Sequence, residues 1–144
     1  MPDWVQQGFQ EYSKRLPGEI NLSVVDVPLG YRAKNQSAEK AIASEGESML
    51  KQISTNDHVV ALDVLGKSWN TRQLAEQLNN WQLSGQRCCL LIGGPDGLSG
   101  QCLARADQRW SLSALTLPHP LVRVLLAEQL YRAWSINAGH PYHR

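Results

Sequence analysis

Cys88-Cys89-Leu90-Leu91-Ile92-Gly93-Gly94-Pro95-Asp96-Gly97 decides the fold. Five apolar residues run without a break into a glycine-rich turn. That is the pattern of a strand covered on both faces, as in a parallel sheet. Working outward, strand and helix patterns alternate. Upstream, Thr71 is placed to cap a helix with Leu74, Ala75, Leu78 and Trp81 on one face, and Gly85 supplies the stop. Before it, residues 58–64 form a β-branched run, expected as a buried strand ended by Gly66-Lys67. Ser37 or Asn35 is placed to cap a helix carrying Ala38, Ala41, Ile42, Met49, Leu50 and Ile53. Ile20, Leu22, Val24, Val25 and Val27 read as a strand. Val5, Phe9, Tyr12 and Leu16 recur at helical spacing, with Pro17-Gly18 as the stop. Downstream, Ser99 caps a helix bearing Cys102, Leu103, Ala106 and Trp110. Residues 112–117 are short and apolar, Pro118-His119-Pro120 punctuates them, and a last helix covers 121–137. Strands alternating with helices predict an α/β fold with a mainly parallel sheet and helices on both faces.

Length and charge narrow the class. The chain has 144 residues, 42% of them hydrophobic, which predicts one domain spanning 1–144. Lys and Arg total 14 against 13 Asp and Glu, a net charge of +1. A strongly basic coat, a polyacidic tail and a disordered chain are excluded. No apolar run approaches the ~18 residues of a membrane span. Met1-Pro2-Asp3-Trp4 has neither a basic region nor an apolar run behind it, so no secretory signal is expected. Cys88, Cys89 and Cys102 are odd in number and lack zinc-ligand spacing. No metal is expected, and a reduced, cytoplasmic setting is.

Ligands of parallel sheets sit beyond the carboxyl ends of the strands. That makes three segments candidate site walls: 62–67, 93–97 and 112–120. The glycine turn is neither GxGxxG nor a P-loop, and on pattern alone a tight turn explains it. The stiff 112–120 segment could grip an adenine through main-chain groups, although pattern alone favours an edge strand with a rigid turn. The last helix is apolar around most of its circumference, through Leu121, Val122, Val124, Leu125, Leu126, Leu130, Tyr131, Trp134 and Ile136. An amphipathic helix needs one apolar stripe; this one predicts packing against a second subunit, a homodimer. The tail, Gly139-His140-Pro141-Tyr142-His143-Arg144, joins imidazole, phenol and guanidinium groups to Arg123 and Arg132 on that helix. Such groups stack on bases and bind phosphates. Arg32 and Lys34 offer a second phosphate contact, or simply a solvated loop. Asp63 and Asp96 stand at strand exits, but spacing does not make them a carboxylate pair. No GxSxG elbow or HExxH helix is present.

An ordered set of segments carries a resemblance. Leu62-Asp63 with Gly66-Lys67, Leu91-Ile92-Gly93-Gly94-Pro95-Asp96-Gly97-Leu98, the run from Ser111 to Arg123, Tyr131-Arg132-Ala133-Trp134 and His140-Pro141-Tyr142-His143-Arg144 closely resemble the ribosomal RNA large subunit methyltransferase H family of the SPOUT class. The resemblance covers essentially the whole chain. It implies a C-terminal trefoil knot in an α/β sheet, an obligate homodimer and S-adenosylmethionine as methyl donor. It implies methylation of N3 of a pseudouridine in 23S rRNA within the ribosome. Cofactor contacts are implied at Leu62, Gly93, Leu112, Ser113, Ala114, Leu115, Thr116 and Leu117, which fall on the three strand exits. Family members open with a further strand before the segment matching Met1-Pro2-Asp3-Trp4, and that strand is absent here.

The expected chemistry is a substitution at the sulfonium methyl by the uracil N3, with loss of the N3 proton. His119 and His143 are the candidate bases. Tyr142 and Arg144 are expected to orient the base and stabilise its charge. Arg123 and Arg132 are expected to contact phosphate or uracil oxygens. A near-neutral chain has little non-specific RNA affinity, so a folded ribosomal surface is the expected partner, with one tail reaching across the dimer. The alternatives are a related knotted tRNA or ribose methyltransferase and a non-catalytic RNA-binding dimer. A flavodoxin-like nucleotide binder fits the periodicity but explains neither the last helix nor the tail.

Overall fold

The computed structural model describes residues 1–32, 34 and 37–144. Asn35, one of the two residues expected to cap the second helix, lies outside the described residues. The elements run α1 (Asp3–Ser13), α2 (Glu39–Lys51), β1 (His58–Ser68), α3 (Thr71–Ser84), β2 (Cys88–Leu91), α4 (Gly100–Arg105), β3 (Gln108–Ser111) and α5 (His119–Ala138), followed by one 3₁₀ turn, Pro141–His143. The sheet is parallel throughout, in the order β2-β1-β3. The chain forms two compact units. One comprises Met1–Val24, Trp69–Gly85 and Leu117–Arg144; the other comprises Val25–Ser68 and Gln86–Thr116.

The sheet belongs to the second unit. Val59 of β1, Leu91 of β2 and Cys102 of α4 form its buried centre, with Met49, Leu50 and Ile53 from α2 and its end packed against them. Two details set where β3 begins. The Asp107 N–H donates to the Val59 carbonyl at 2.8 Å, and the Val59 N–H donates to Asp107 Oδ2 at 2.8 Å. This side-chain rung opens the pairing of β1 with β3. Ser99 caps α4 as expected, accepting from the Cys102 N–H. That helix is shorter than its spacing predicts. Ala106 is extended, with ψ 135°, and Trp110 lies on β3. Cys102, Ala106 and Trp110 share helical spacing, yet the chain leaves the helix to take up its strand partner.

In the first unit α5 packs against α1 and α3. Val5, Leu74, Leu78, Leu126, Ala127 and Leu130 are buried there. Asn137 Nδ2 donates to the Ala75 carbonyl at 2.9 Å, tying α5 to α3. Much of the apolar circumference of α5 is thus covered by helices of its own chain. Leu121 and Leu125 stay 43% and 38% exposed.

Five other expectations are corrected. Residues 20–27 carry no strand, and Val24 and Val25 are largely exposed. β-Branched residues favour extended backbone, but a strand also needs an edge to bond, and the sheet of the described residues pairs only β1, β2 and β3. The cap of α3 is Asn70, not Thr71, in a reciprocal capping box with Gln73; Gly85 ends the helix left-handed, as expected. The N-cap of α2 is Ala38, not Ser37. β1 is buried only at Val59, Val60 and Ala61, and it runs through Gly66-Lys67 to Ser68. β2, an edge strand, is half-buried rather than covered on both faces. Burial pushes the Cys88 thiol up to about 12, so it stays protonated and unreactive at neutral pH.

Candidate active site

Three parallel strands end at one edge of the sheet. In register, Ala61 stands opposite Leu91 and Leu62 opposite Trp110. Leu62 therefore lies one residue past the last rung of β1 with β2 and pairs with Trp110, one residue before the end of β3, while β1 itself continues past a bulge to Ser68 opposite Ser111. Gly93 follows Leu91 by two residues, and Leu112 directly follows Ser111. Neighbouring strands lie ~4.8 Å apart, so the three ends span about 10 Å. The segments expected to hold the cofactor start side by side.

Their local shapes differ. Leu62 and Lys67 both pair with Trp110, so residues 63–66 leave the ladder as a bulge. Within it, Asp63 Oδ1 accepts from the Leu65 N–H at 3.3 Å. The glycine turn is tight. A Cβ on Gly93 would come 2.6 Å from the Gly97 carbonyl carbon and 2.9 Å from the Leu98 nitrogen, so only glycine fits. The 112–117 loop is braced by its serines. The Leu115 N–H donates to Ser113 Oγ at 2.9 Å, and Ser111 Oγ donates to the Ser113 carbonyl at 3.0 Å. Ala114, Leu115 and Thr116 are exposed; Leu112, Ser113 and Leu117 are half-buried. This set fits the methyl donor implied by the resemblance. Bare main chain at Gly93 and a loop outside any ladder suit the edge of an adenine. None of the residues expected to touch the donor is cationic, as a sulfonium requires.

The tail, in the other unit, is folded back on α5. Tyr142 packs on Tyr131 with ring centroids 4.4 Å apart, and its hydroxyl donates to Glu128 Oε2 at 2.9 Å. Burial, with the Glu128 carboxylate beside it, raises the phenol to about 12. Arg132 donates through Nε to the same Glu128 oxygen at 3.0 Å and lies 4.9 Å from the Tyr142 ring centre. His140 Nδ1 accepts from the Tyr142 N–H at 3.2 Å, capping the 3₁₀ turn. Arg144 follows at the exposed end.

The family model described as "Predicted SPOUT methyltransferase" matches residues 1–143. The chain belongs to the SPOUT methyltransferase family. It is 60% identical over all 144 residues to the ribosomal RNA large subunit methyltransferase H of Hahella chejuensis, covering 92% of that protein. It is 60% identical to the protein of the same name from Saccharophagus degradans and 53% identical to that from Pseudomonas fluorescens, covering 93% of each.

In this SPOUT methyltransferase the two candidate bases differ in their hydrogen bonds. His143 Nδ1 stands 2.7 Å from the His140 carbonyl. A carbonyl only accepts, so Nδ1 carries the hydrogen and Nε2 carries the lone pair. His119 Nε2 stands 3.4 Å from Arg123 Nη2. A guanidinium only donates, so that lone pair faces a donor. His119 is also the first residue of α5, not part of a free turn, and Arg123 beside it is buried.

The sequence reading missed Glu128 and Arg15, and took Tyr131 as part of the apolar last helix and of the resemblance without a place in the site. Glu128 gathers Tyr142 and Arg132, and the signal for it was the Glu128/Arg132 pair at i,i+4 on a helix. Arg15 lies 5.7 Å from the Tyr131 ring centre and 6.0 Å from that of Tyr142. It comes from the end of α1, far away in sequence. Arg32, offered as a phosphate contact, is instead engaged by Glu45 and Asp96.

Proposed function

We propose that residues 1–144 act as one S-adenosylmethionine-dependent methyltransferase domain that methylates N3 of a pseudouridine in 23S rRNA. It works in the cytoplasm as a homodimer, on the ribosome, with the trefoil knot its family implies. The observation that carries this reading is the sheet edge where Leu62, Gly93 and the 112–117 loop begin side by side. Full-length relatives named as ribosomal RNA large subunit methyltransferases support the substrate. No helix of the described residues is long and apolar enough to cross a membrane.

Leu62, Gly93, Leu112, Ser113, Ala114, Leu115, Thr116 and Leu117 hold the cofactor, chiefly through main chain. When bound, S-adenosylmethionine would supply an electrophilic methyl group on a positively charged sulfur for transfer to the uracil N3, with the neutral thioether as leaving group. His143 Nε2 takes the N3 proton, because the Nδ1 bond to the His140 carbonyl leaves the lone pair on Nε2, while that of His119 faces Arg123. Tyr142, held protonated, anchors the turn that carries His143. Arg144 neutralises charge developing on the uracil oxygens. Arg132, and Arg123 beside His119, contribute positive charge toward RNA. In the dimer one subunit's tail serves the other's cofactor site.

The test separates binding from chemistry. His143→Ala is expected to leave S-adenosylmethionine affinity by calorimetry within about twofold. Its single-turnover methyl transfer to ribosomal RNA falls by the 10²–10⁴-fold typical of a lost general base. An unchanged rate removes the tail from the mechanism. Mass spectrometry of 23S rRNA fragments reads the product. Methyl groups found on tRNA or ribose instead, or cofactor binding without transfer, replace this reading with one of its alternatives.

A further inference from the structure

Arg32 precedes α2 in a stretch without regular structure, yet its guanidinium has four bonds. Nη1 donates to Glu45 Oε2 at 2.7 Å and to the Gly30 carbonyl at 3.1 Å. Nη2 donates to Glu45 Oε1 at 3.3 Å, and Nε donates to Asp96 Oδ2 at 2.8 Å. Glu45, on α2, is only 5% exposed and also accepts from the Gly30 N–H at 2.9 Å. Its other oxygen lies under the glycine turn, since a Cβ on Gly94 would stand 3.2 Å from Glu45 Oε1. Asp96 is at the tip of that turn, between the paired Gly94 and Gly97. The turn therefore lies over a buried carboxylate and is tied at its tip through an exposed one, and a single guanidinium bridges the two. Only a planar fork with several donors makes all these bonds at once; an ammonium is a point charge on a flexible stem.

We propose that Arg32 is a positioning residue for the methyl donor. Through Glu45 and Asp96 it fixes the 93–97 turn, and with it the Gly93 main chain, in the shape that receives S-adenosylmethionine. The proposal rests on the reading that Gly93 belongs to the cofactor site. A turn held before binding need not be ordered by the ligand, so affinity is gained without a new contact. Arg32 touches neither donor nor RNA in this scheme. Its loss weakens cofactor binding and leaves the transfer rate at saturating cofactor unaltered.

Two substitutions test this without emptying the buried site. Asp96→Asn removes the exposed tie and leaves Glu45 paired. Arg32→Lys keeps the charge and removes the fork. Amide exchange of the 93–97 segment is read in the cofactor-free protein, with the 58–61 segment of β1 as the internal reference. Affinity for S-adenosylmethionine is read by calorimetry, and KM is separated from kcat in methyl transfer. Both variants are expected to exchange faster in 93–97 only, to bind about tenfold more weakly, and to keep kcat. Asp96→Glu, which restores a carboxylate, is expected to recover affinity. Wild-type affinity in both variants overturns the proposal, and so does faster exchange throughout β1, which marks a general loss of stability. If the wild-type chain itself binds no S-adenosylmethionine, the site reading falls and the proposal with it. The exchange arm then still reports whether Arg32 holds the turn.

Discussion

At Asp57 one carboxylate oxygen collects three N–H donors, with the Cys89 thiol as a fourth donor at 3.6 Å. Arg87 reaches it through Nη2 at 2.5 Å and Nε at 3.1 Å, and the Ser54 N–H reaches it at 2.8 Å. The Arg87 guanidinium, foremost, holds its pKa down at about 2, against an ordinary 3.8. A depressed carboxylate stabilises the fold fully above its unfolded pKa, and that contribution is lost as pH falls through the folded value. The window is therefore about pH 4 down to pH 2. Asp57→Asn is expected to lower the urea midpoint at pH 7, and the gap to wild type should close as pH approaches 2. A gap that stays constant across that range would rule the ion pair out as its source. Residues of this kind were not legible in the sequence. Asp57 and Arg87 lie thirty positions apart, and only the pairing of β1 with β2 brings them together. Gly93 was legible because a glycine after an apolar run marks a strand exit. Glu45 was not, because Arg32 comes from outside its helix, and Glu128 was legible only in its i,i+4 pair with Arg132, because Tyr142 comes from the tail.

At the scale of elements, periodicity located the helices and the three paired strands. It failed where pairing, not propensity, decides. Residues 20–27 have the composition of a strand and no partner. Trp110 has the spacing of a helix and sits on β3. The cap of α3 was misplaced by one residue, although the box was written in the sequence as Asn70 followed three positions later by Gln73. Asn70 Oδ1 accepts from the Gln73 N–H at 2.9 Å, and Gln73 Oε1 accepts from the Asn70 N–H at 2.8 Å. Replacing Asn70 with alanine removes the acceptor of the Gln73 N–H at the start of the helix, while the backbone N–H of residue 70 keeps Gln73 Oε1. The expected loss is about 1 kcal/mol, seen as a lower urea midpoint at an unchanged slope. Thr71→Ala should move the midpoint much less, since the Thr71 hydroxyl has only a long 3.5 Å contact to Gln129. Equal losses in the two variants would return the cap to Thr71.

At the scale of the whole molecule, what the sequence suggested about assembly rests on α5. Its all-round apolar surface is explained in part by α1 and α3. A knot has no signature in periodicity, because it depends on the order in which segments thread and not on what each segment is. What α1 and α3 leave open is specific. Leu121 and Leu125 are four residues apart, hence on one face of the helix, and both are exposed. A paired apolar face on an otherwise packed helix predicts the homodimer surface. The wild-type chain is expected to sediment at twice its chain mass at micromolar concentration. Leu121→Glu with Leu125→Glu places two charges on that face and is expected to give a monomer with an unchanged helical circular-dichroism signal. On the proposal that one subunit's tail serves the other's site, the monomer is expected to bind S-adenosylmethionine and transfer its methyl at less than about a hundredth of the wild-type rate. A wild-type monomer under these conditions would remove the dimer. A monomeric variant with full activity would keep the dimer but confine each tail to its own chain.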